Sequence, residues 1–568
     1  MTGRVRVWLA VAAACAASYA ITLRAVDYIH DDRWIIADNA FLHQGVRAIP
    51  TLFTTGYWEA ANGRGGPVQE YRPLLMATFL FQFLATGPAL PPMHAVNLLL
   101  HIAVCLLLWE ILRSRLRPPA ALAAALFFAT IPIHTEAVSA LTGRSEVMSA
   151  ALMLGAWLCL QARGRVRPMP GAALFFAALL TKEHALLFPA LLLLDDWTLR
   201  APGPLGPERR RVYLPLAAAA ALYLLLRRVV LEGAFRVGRS YFTGSTPLVS
   251  ALTVARFDVL HYLVPTLTGV GLCTDYSRPL IPDSGPASPG SWICLLVLAA
   301  VLAAAGWLLA RRRSRWAFWI LGPSLFLLPT SHLLVPIDTL GAERFLYFPS
   351  IGLAALVGAL YARMKDRVRM APALAGALLL WYAAQTLARN RIWVSGESYY
   401  AAAVACNPVS ADARSALGTH RILRGDVAEG EADLALAARM SPRSPHASYN
   451  LARLAWERKD AAQAERLLRL SLAADPASGD AWNLLALVVS SQGRNAESAE
   501  YLEKALRIRP WDASARFNLA REYQINGRPG LAAAQYELFL ESAPDDPQAD
   551  EARRLVAGLR SRPSPSRR

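Results

Sequence analysis

A chain of 568 residues that is 55% hydrophobic and only 18% charged is too apolar for an ordinary soluble protein and points to a membrane class. The net charge of +17 would suit a nucleic-acid binder, but the arginines lie in short clusters between apolar runs rather than on one basic face, so nucleic acid is excluded as a partner. Six cysteines without any CxxC spacing give no zinc or redox motif.

In chain order, the basic start and apolar core of MTGRVRVWLAVAAACAASYAITL read as a retained first span rather than a signal peptide. The apolar run is long for a signal core, and more spans follow. A spanning helix needs about 20 mostly apolar residues. On that basis the sequence predicts about 11 spans, near 5–24, 93–112, 118–134, 147–163, 170–184, 185–199, 212–231, 291–310, 315–334, 345–362 and 370–388. The basic clusters are Arg113, Arg115 and Arg117; Arg163, Arg165 and Arg167; Arg209, Arg210 and Arg211; Arg311, Arg312 and Arg313; and Arg363, Lys365, Arg367 and Arg369. All fall on the side of Arg4 and Arg6, which the positive-inside rule makes cytoplasmic. Connections 25–92, 134–146, 232–290 and 332–344 then face outward, and the C-terminal region joins them. Residues 74–86 are too short to cross and are expected as a juxtamembrane helix on that outer face. Residues 250–267, with Arg256, Asp258 and His261, are expected at the interface.

Beyond residue 390 the character changes. Pro408, Pro442, Pro476, Pro510 and Pro544 recur every 34 residues, the tetratricopeptide (TPR) period. Each proline ends the second helix of a repeat, because it cannot continue one. Gly425, Gly493 and Gly527 fall at the turn between paired helices, and Leu451, Leu485 and Leu519 recur in the first helix. The fold class is therefore all-α: a polytopic membrane helical bundle over 1–390, a linker over 391–410, a TPR α-solenoid of about four repeats over 411–560, and a basic tail over 561–568. The core of such an array is packing; its concave face suits an extended peptide.

Chemistry is expected in the outward connections. Asp31 and Asp32 directly follow the first span, and adjacent like charges can raise one pKa, which suits a general base. Alone, an Asp-Asp pair reads better as a solvated loop. Other ionisable groups shift that balance: Glu70 and Arg72; His94, Asn97 and His101 on one helical face; His134 and Glu136; Arg144 and Glu146; Lys182, Glu183 and His184; Glu343 and Arg344. Ionisable residues at membrane level usually face a bundle interior and mark a substrate path. These His and Glu residues leave a divalent metal possible but not favoured, because only His94 and His101 have regular helical spacing and no acid lies between them to complete a ligand set.

Several motifs together resemble a known family: HDDRWIIADN, YRPL, HAVNLLLH, IPIHTEAVSALTGRSE, TKEH, ERFLYFPSIG and RNRIWVSGESYYAAAVACNP. Their order is similar to that of the transmembrane and tetratricopeptide-repeat O-mannosyltransferases, within the GT-C class of glycosyltransferases. The resemblance implies a polyprenyl-phosphate mannose donor and inverting transfer to Ser or Thr hydroxyls of a protein on the outer face. It implies that Asp31 or Asp32 is the base, without separating them. It implies Arg72, Arg144 and Arg344 as donor-phosphate ligands, and Glu70, His94, His134, Glu136, Glu146, Lys182 and Glu343 as sugar-contacting or supporting groups. The other readings are a GT-C transferase with a glycolipid or glycan acceptor, and a non-catalytic membrane scaffold that recruits partners through its repeats. Only four lysines among 59 basic residues, with abundant alanine, suggest a GC-rich bacterium, so the expected location is an inner membrane with periplasmic repeats. In a eukaryote the outer face would be the ER lumen.

Overall fold

The computed structural model describes residues 3–59, 70–161, 166–199, 207–231, 241–242, 244–277, 280–332, 337, 339–442, 444–544 and 546–560. The basic tail 561–568, Arg163, Arg165 and the end of the predicted ninth span at 333–334 lie outside these residues. Every described element is helical, and the chain divides into two compact units, one of residues 1–37, 49–57 and 67–402, the other of 38–48, 58–66 and 403–568.

The first unit is a bundle. Its principal helices are α1 (Gly3–Tyr19), α2 (Pro73–Thr86), α3 (Leu90–Leu112), α4 (Pro118–Thr130), α5 (Arg144–Gln161), α6 (Pro168–Leu179), α7 (Phe188–Leu199), α8 (Pro207–Val230), α9 (Pro247–Phe257), α10 (Pro289–Arg312), α11 (Arg315–Ser324), α12 (Ser350–Lys365) and α13 (Ala371–Asn390). Proline opens many of them, where its missing N–H costs nothing. Helix α1 packs on α3, α4 and α13, and α5 on α3 and α6. Helix α12 approaches α4 so closely that a Cβ on Gly358 would meet the Ala120 carbonyl oxygen, the small-residue packing expected between helices in lipid. Buried polar bonds pin the bundle: Asn390 Nδ2 donates to Ser18 O at 2.7 Å, and Thr386 Oγ1 to Thr130 O at 2.6 Å.

The expected count of 11 spans is not supported. Among the described residues, six helices are long and apolar enough to cross a membrane, or seven if α4 and the 132–139 segment, bent by 51° at Pro132, form one span. Multiple long apolar helices still make this an integral membrane protein. The excess arose where apolar composition runs through breaks in the helix. Helices α6 and α7 have 12 residues each, about 18 Å at 1.5 Å per residue, against a hydrocarbon core of about 30 Å. The predicted ninth span is a 10-residue α11 that gives way to a 3₁₀ turn, with Pro323 and Pro329 interrupting it. Helix α12 has only 16 residues, and α5 carries Arg144 and Glu146 in its first turn. Conversely, 247–268, expected at the interface, is a 22-residue helical run that passes on length and composition.

The second unit is built from helix pairs. Ala411–Arg424 packs on Val427–Met440, Pro445–Glu457 on Ala461–Ala474, Gly479–Ser491 on Asn495–Ile508, and Ala513–Ile525 on Pro529–Ser542; Ala549–Arg560 closes the array. The 34-residue period is also a capping period. Ser410, Ser444, Ser478 and Asp512 each accept a backbone N–H three residues on, starting the first helix of each pair. Gly425, Gly493 and Gly527 adopt φ of 100°, 80° and 69° at the turn inside each pair. In the second pair Lys459 stands at that position with φ 66°, where a side chain is strained.

Candidate active site

The site grows from the loop after α1. His30 adopts φ 54°, a left-handed residue that turns the chain sharply before the two aspartates. The carboxylates then part. Asp32 is buried and fully engaged: Oδ2 accepts Leu141 N–H at 2.9 Å, and Oδ1 accepts Thr142 N–H and Oγ1–H, both at 2.8 Å. Burial pushes its pKa up to about 6 against those hydrogen bonds. Asp31 instead meets charge: Oδ1 lies 2.8 Å from His30 Nδ1 and Oδ2 lies 4.0 Å from Arg344 Nη2. Burial opposes its ionisation, but His30, Arg344 and Arg72 outweigh it and hold Asp31 at about 2. His30 is raised in turn, chiefly by Asp31.

The turn that receives Asp32 depends on Gly143, where a Cβ would collide with the Ala137 and Glu136 carbonyl oxygens. The same turn presents Glu136. Its carboxylate accepts Arg344 Nη1 at 2.7 Å and Arg344 N at 3.0 Å, so one acid fixes both ends of Arg344. Glu136 and Asp31 together keep the Arg344 guanidinium charged beyond its already high pKa, against burial.

Arg72 is held by two acids. Its Nε and Nη2 donate to Glu183 Oε2 at 3.1 and 3.0 Å, and Nη2 lies 2.8 Å from Glu70 Oε1. The guanidinium also lies 5.0 Å from the centroid of Tyr57. Lys182 pairs with Glu146, whose other oxygen lies 3.6 Å from His184 Nδ1. Lys182 lies within electrostatic reach of both Arg72 and Arg344, and so does Asp31. The structure therefore brings Asp31, Glu70, Arg72, Glu136, Glu146, Lys182 and Arg344 into one charged cluster.

The other expected residues make separate contacts. Arg144 is fully buried, and its guanidinium donates to Asn97 Oδ1 at 2.8 Å, Gln82 Oε1 at 2.8 Å, Met93 O at 3.1 Å and Thr78 Oγ1 at 3.3 Å. His134 is wedged between Phe128 O at 3.0 Å and Ser350 Oγ at 2.7 Å. His94 is buried beside Arg144. Glu343 is 1% exposed and grips Arg389 Nη2 at 2.6 and 2.7 Å while accepting Tyr276 Oη–H at 3.0 Å. Burial pushes Glu343 up to about 7 despite Arg389. Glu183 and His30 were visible in their motifs but given no role, and Arg389 opens the RNRIWV stretch; Tyr276 carried no sequence signal.

Two tetratricopeptide-repeat family profiles match the chain, over residues 397–488 and 483–547. Protein O-mannosyl-transferase TMTC3 of Mus musculus is 25% identical over 423 residues, covering 67% of this chain and 45% of its own. Protein O-mannosyl-transferase Tmtc3 of Drosophila melanogaster is 27% identical over 463 residues, covering 67% and 49%. The chain thus spans about half the length of the curated relatives it matches. Among solved structures, TTC0263, a thermophilic TPR protein of Thermus thermophilus, is 23% identical and covers 31% of this chain and 94% of its own, with a TM-score of 0.24. The chain is thus similar, at low identity, to protein O-mannosyl-transferases of the TMTC type, and its C-terminal region matches tetratricopeptide repeats.

Proposed function

We propose that this chain is an O-mannosyltransferase with a GT-C-like membrane unit that transfers mannose from a polyprenyl-phosphate carrier to Ser or Thr hydroxyls of a protein. The observation that carries this reading is the Asp31 carboxylate, ionised and partly exposed, with Oδ2 facing Arg344. Asp31 takes the acceptor hydroxyl proton as that oxygen bonds to C1 of the sugar. The C1–O bond to the carrier breaks on the opposite face, and the lipid phosphate leaves with the electron pair, giving inversion. Such a transition state is oxocarbenium-like and places negative charge on the departing phosphate. Arg344 and Arg72 meet that charge; a guanidinium fork matches phosphate oxygens. Asp32 positions rather than reacts, because both its oxygens are already bonded. Glu136 and Glu183 aim the two arginines, while Glu70, Glu146 and Lys182 line the sugar side. The more deeply engaged Arg144, His94, His134 and Glu343 hold the helices that carry the cluster.

On this reading the reaction takes place on the outer face of the membrane, as the resemblance to O-mannosyltransferases implies, with the repeats recruiting the acceptor polypeptide. The test is mannose transfer by the full chain in lipid nanodiscs, from radiolabelled polyprenyl-phosphate mannose to envelope proteins of a strain lacking the gene. Wild type labels protein and Asp31→Ala does not. Undiminished labelling by Asp31→Ala removes the catalytic assignment. Label that appears only in glycolipid moves the acceptor to that class.

A further inference from the structure

A second cluster lies in the bundle interior and plays no part in the reaction above. Cys15 on α1 and His101 and Cys105 on α3 bring three ligand atoms within 4.8 Å of one another, all on side chains with no exposed surface. His101 and Cys105 are four residues apart on one helix, so they project from the same face. Cys15 Sγ lies 3.7 Å from Cys105 Sγ, and Cys105 Sγ lies 3.8 Å from His101 Nε2. Both cysteines are free thiols.

From these observations we infer that Cys15, Cys105 and His101 bind a zinc-class divalent cation that ties the first helix to α3. The distances fit such an ion. With metal–sulfur bonds of about 2.3 Å and a metal–nitrogen bond of about 2.0 Å, a tetrahedral centre sets its sulfurs about 3.8 Å apart and sulfur and nitrogen about 3.5 Å apart. The imidazole is already oriented: Nδ1 lies 2.8 Å from Tyr347 Oη, which leaves Nε2 to the thiols, the outer-shell arrangement usual for a ligating histidine. Tyr19 supplies a second, independent pointer. Its ring lies 5.0 Å from that of His101, and its hydroxyl is buried with no hydrogen-bond partner among the described residues. An orphaned buried hydroxyl is costly, and a fourth position on the ion would satisfy it.

Charge selects the cation. Each thiol releases its proton to solvent on binding, so a divalent ion with two thiolates and neutral imidazole carries no net charge. A neutral centre is the form an apolar interior tolerates; a monovalent ion would leave one negative charge buried. Soft sulfur ligands exclude magnesium and calcium. The site is structural: α1 runs directly into the 3₁₀ turn Ala20–Arg24 and then to His30, Asp31 and Asp32, so fixing α1 on α3 fixes the root of the reactive loop.

The experiment is elemental analysis of the full chain purified in detergent without chelator, followed by cobalt(II) exchange. The expected result is about one zinc per chain, with cobalt giving sulfur charge-transfer bands and the intense visible bands of a tetrahedral site. Cys15→Ser and Cys105→Ser each lower metal content at least tenfold, while Cys159→Ser retains it. In case the variants fold poorly, the wild-type cobalt spectrum decides alone, since octahedral or sulfur-free cobalt overturns the inference. Absence of metal, a Cys15–Cys105 disulfide in the isolated chain, binding of copper(I) only, or metal content indifferent to both cysteines also overturns it.

Discussion

The two adjacent aspartates are told apart most cleanly by replacing each with asparagine. Asp32 accepts two backbone N–H groups and one hydroxyl in a site 3% exposed. Hydrogen bonds to a charged acceptor contribute about 1.5–3 kcal/mol each, and a stranded buried donor costs about 1–3 kcal/mol. Asparagine keeps one acceptor oxygen, which serves either the Leu141 or the Thr142 side, and presents an amide to the other. One to two bonds are lost, so Asp32→Asn should cost about 2–6 kcal/mol and lower the unfolding temperature, with partial loss of transfer. Asp31→Asn forfeits the His30 contact, the longer Arg344 contact and the attraction of Arg72, so stability near pH 7 should fall by about 2 kcal/mol, from the displacement of its pKa from 3.8 to about 2. Transfer, however, should fall more than 100-fold. The pH–rate profile gives a second reading. A base held at about 2 is ionised throughout pH 5–8, so kcat/KM shows no acid limb from it. A base at about 6 would lose tenfold per unit below that pH. The stability signs are opposite as well. Asp32 binds its proton more tightly folded than unfolded, so its contribution declines as pH rises from 3.8 through about 6. The Asp31 contribution is present above 3.8 and disappears as pH falls toward 2. An acid limb near 6 with an active Asp31→Asn enzyme would refute the assignment and make Asp32 the base.

Other perturbations probe the surroundings. Arg344→Lys keeps the charge but loses the fork that joins Glu136 to Asp31, and should lower kcat by 10–100-fold, about 1.4–2.7 kcal/mol, in the same transfer assay. Glu343→Ala leaves the part-buried Arg389 without its carboxylate and should destabilise by about 3 kcal/mol in denaturant unfolding. Gly143→Ala drives a methyl into the Ala137 and Glu136 carbonyls, so it should impair transfer and stability together, whereas Gly376→Ala, in helix α13 with open space around it, should leave transfer intact and raise stability by about 0.5–1 kcal/mol. Lys459→Gly relieves left-handed strain at the one turn inside a helix pair that lacks the left-handed glycine and should stabilise the repeats by about 1 kcal/mol, seen as a higher denaturant midpoint.

The repeats were legible because their punctuation is local. A proline after each second helix, a capping Ser or Asp two residues later and a left-handed glycine inside most pairs are all written in single positions. The bundle was legible in kind and not in count, since hydropathy sums across Pro323, Pro329 and the turn at 180–187 without seeing that the helix stops there. At the site, the motifs named the ions but not their pairings. Asp31 and Asp32 are equivalent as neighbours in a sequence; only the turn at 136–143, more than 100 residues away, gives one of them three donors and leaves the other facing an arginine. Cys15 and Cys105 are 90 residues apart, so no spacing rule applies to them.

Those pairings bear on how the proposed reaction begins. The cluster holds five carboxylates, Asp31, Glu70, Glu136, Glu146 and Glu183, around three cations, Arg72, Lys182 and Arg344. Each cation already has an acid partner, so an arriving lipid phosphate must compete for them rather than fill an empty positive pocket. The weakest hold is the 4.0 Å approach of Arg344 Nη2 to Asp31; the bonds from Glu136 use Nη1 and the backbone N–H. A phosphate that takes Nη2 removes part of the stabilisation that keeps Asp31 near 2, and so makes the carboxylate more basic. Donor binding then prepares the base for the acceptor proton. Before the donor arrives, the same carboxylate stays ionised and weakly basic, which disfavours activation of water at the site.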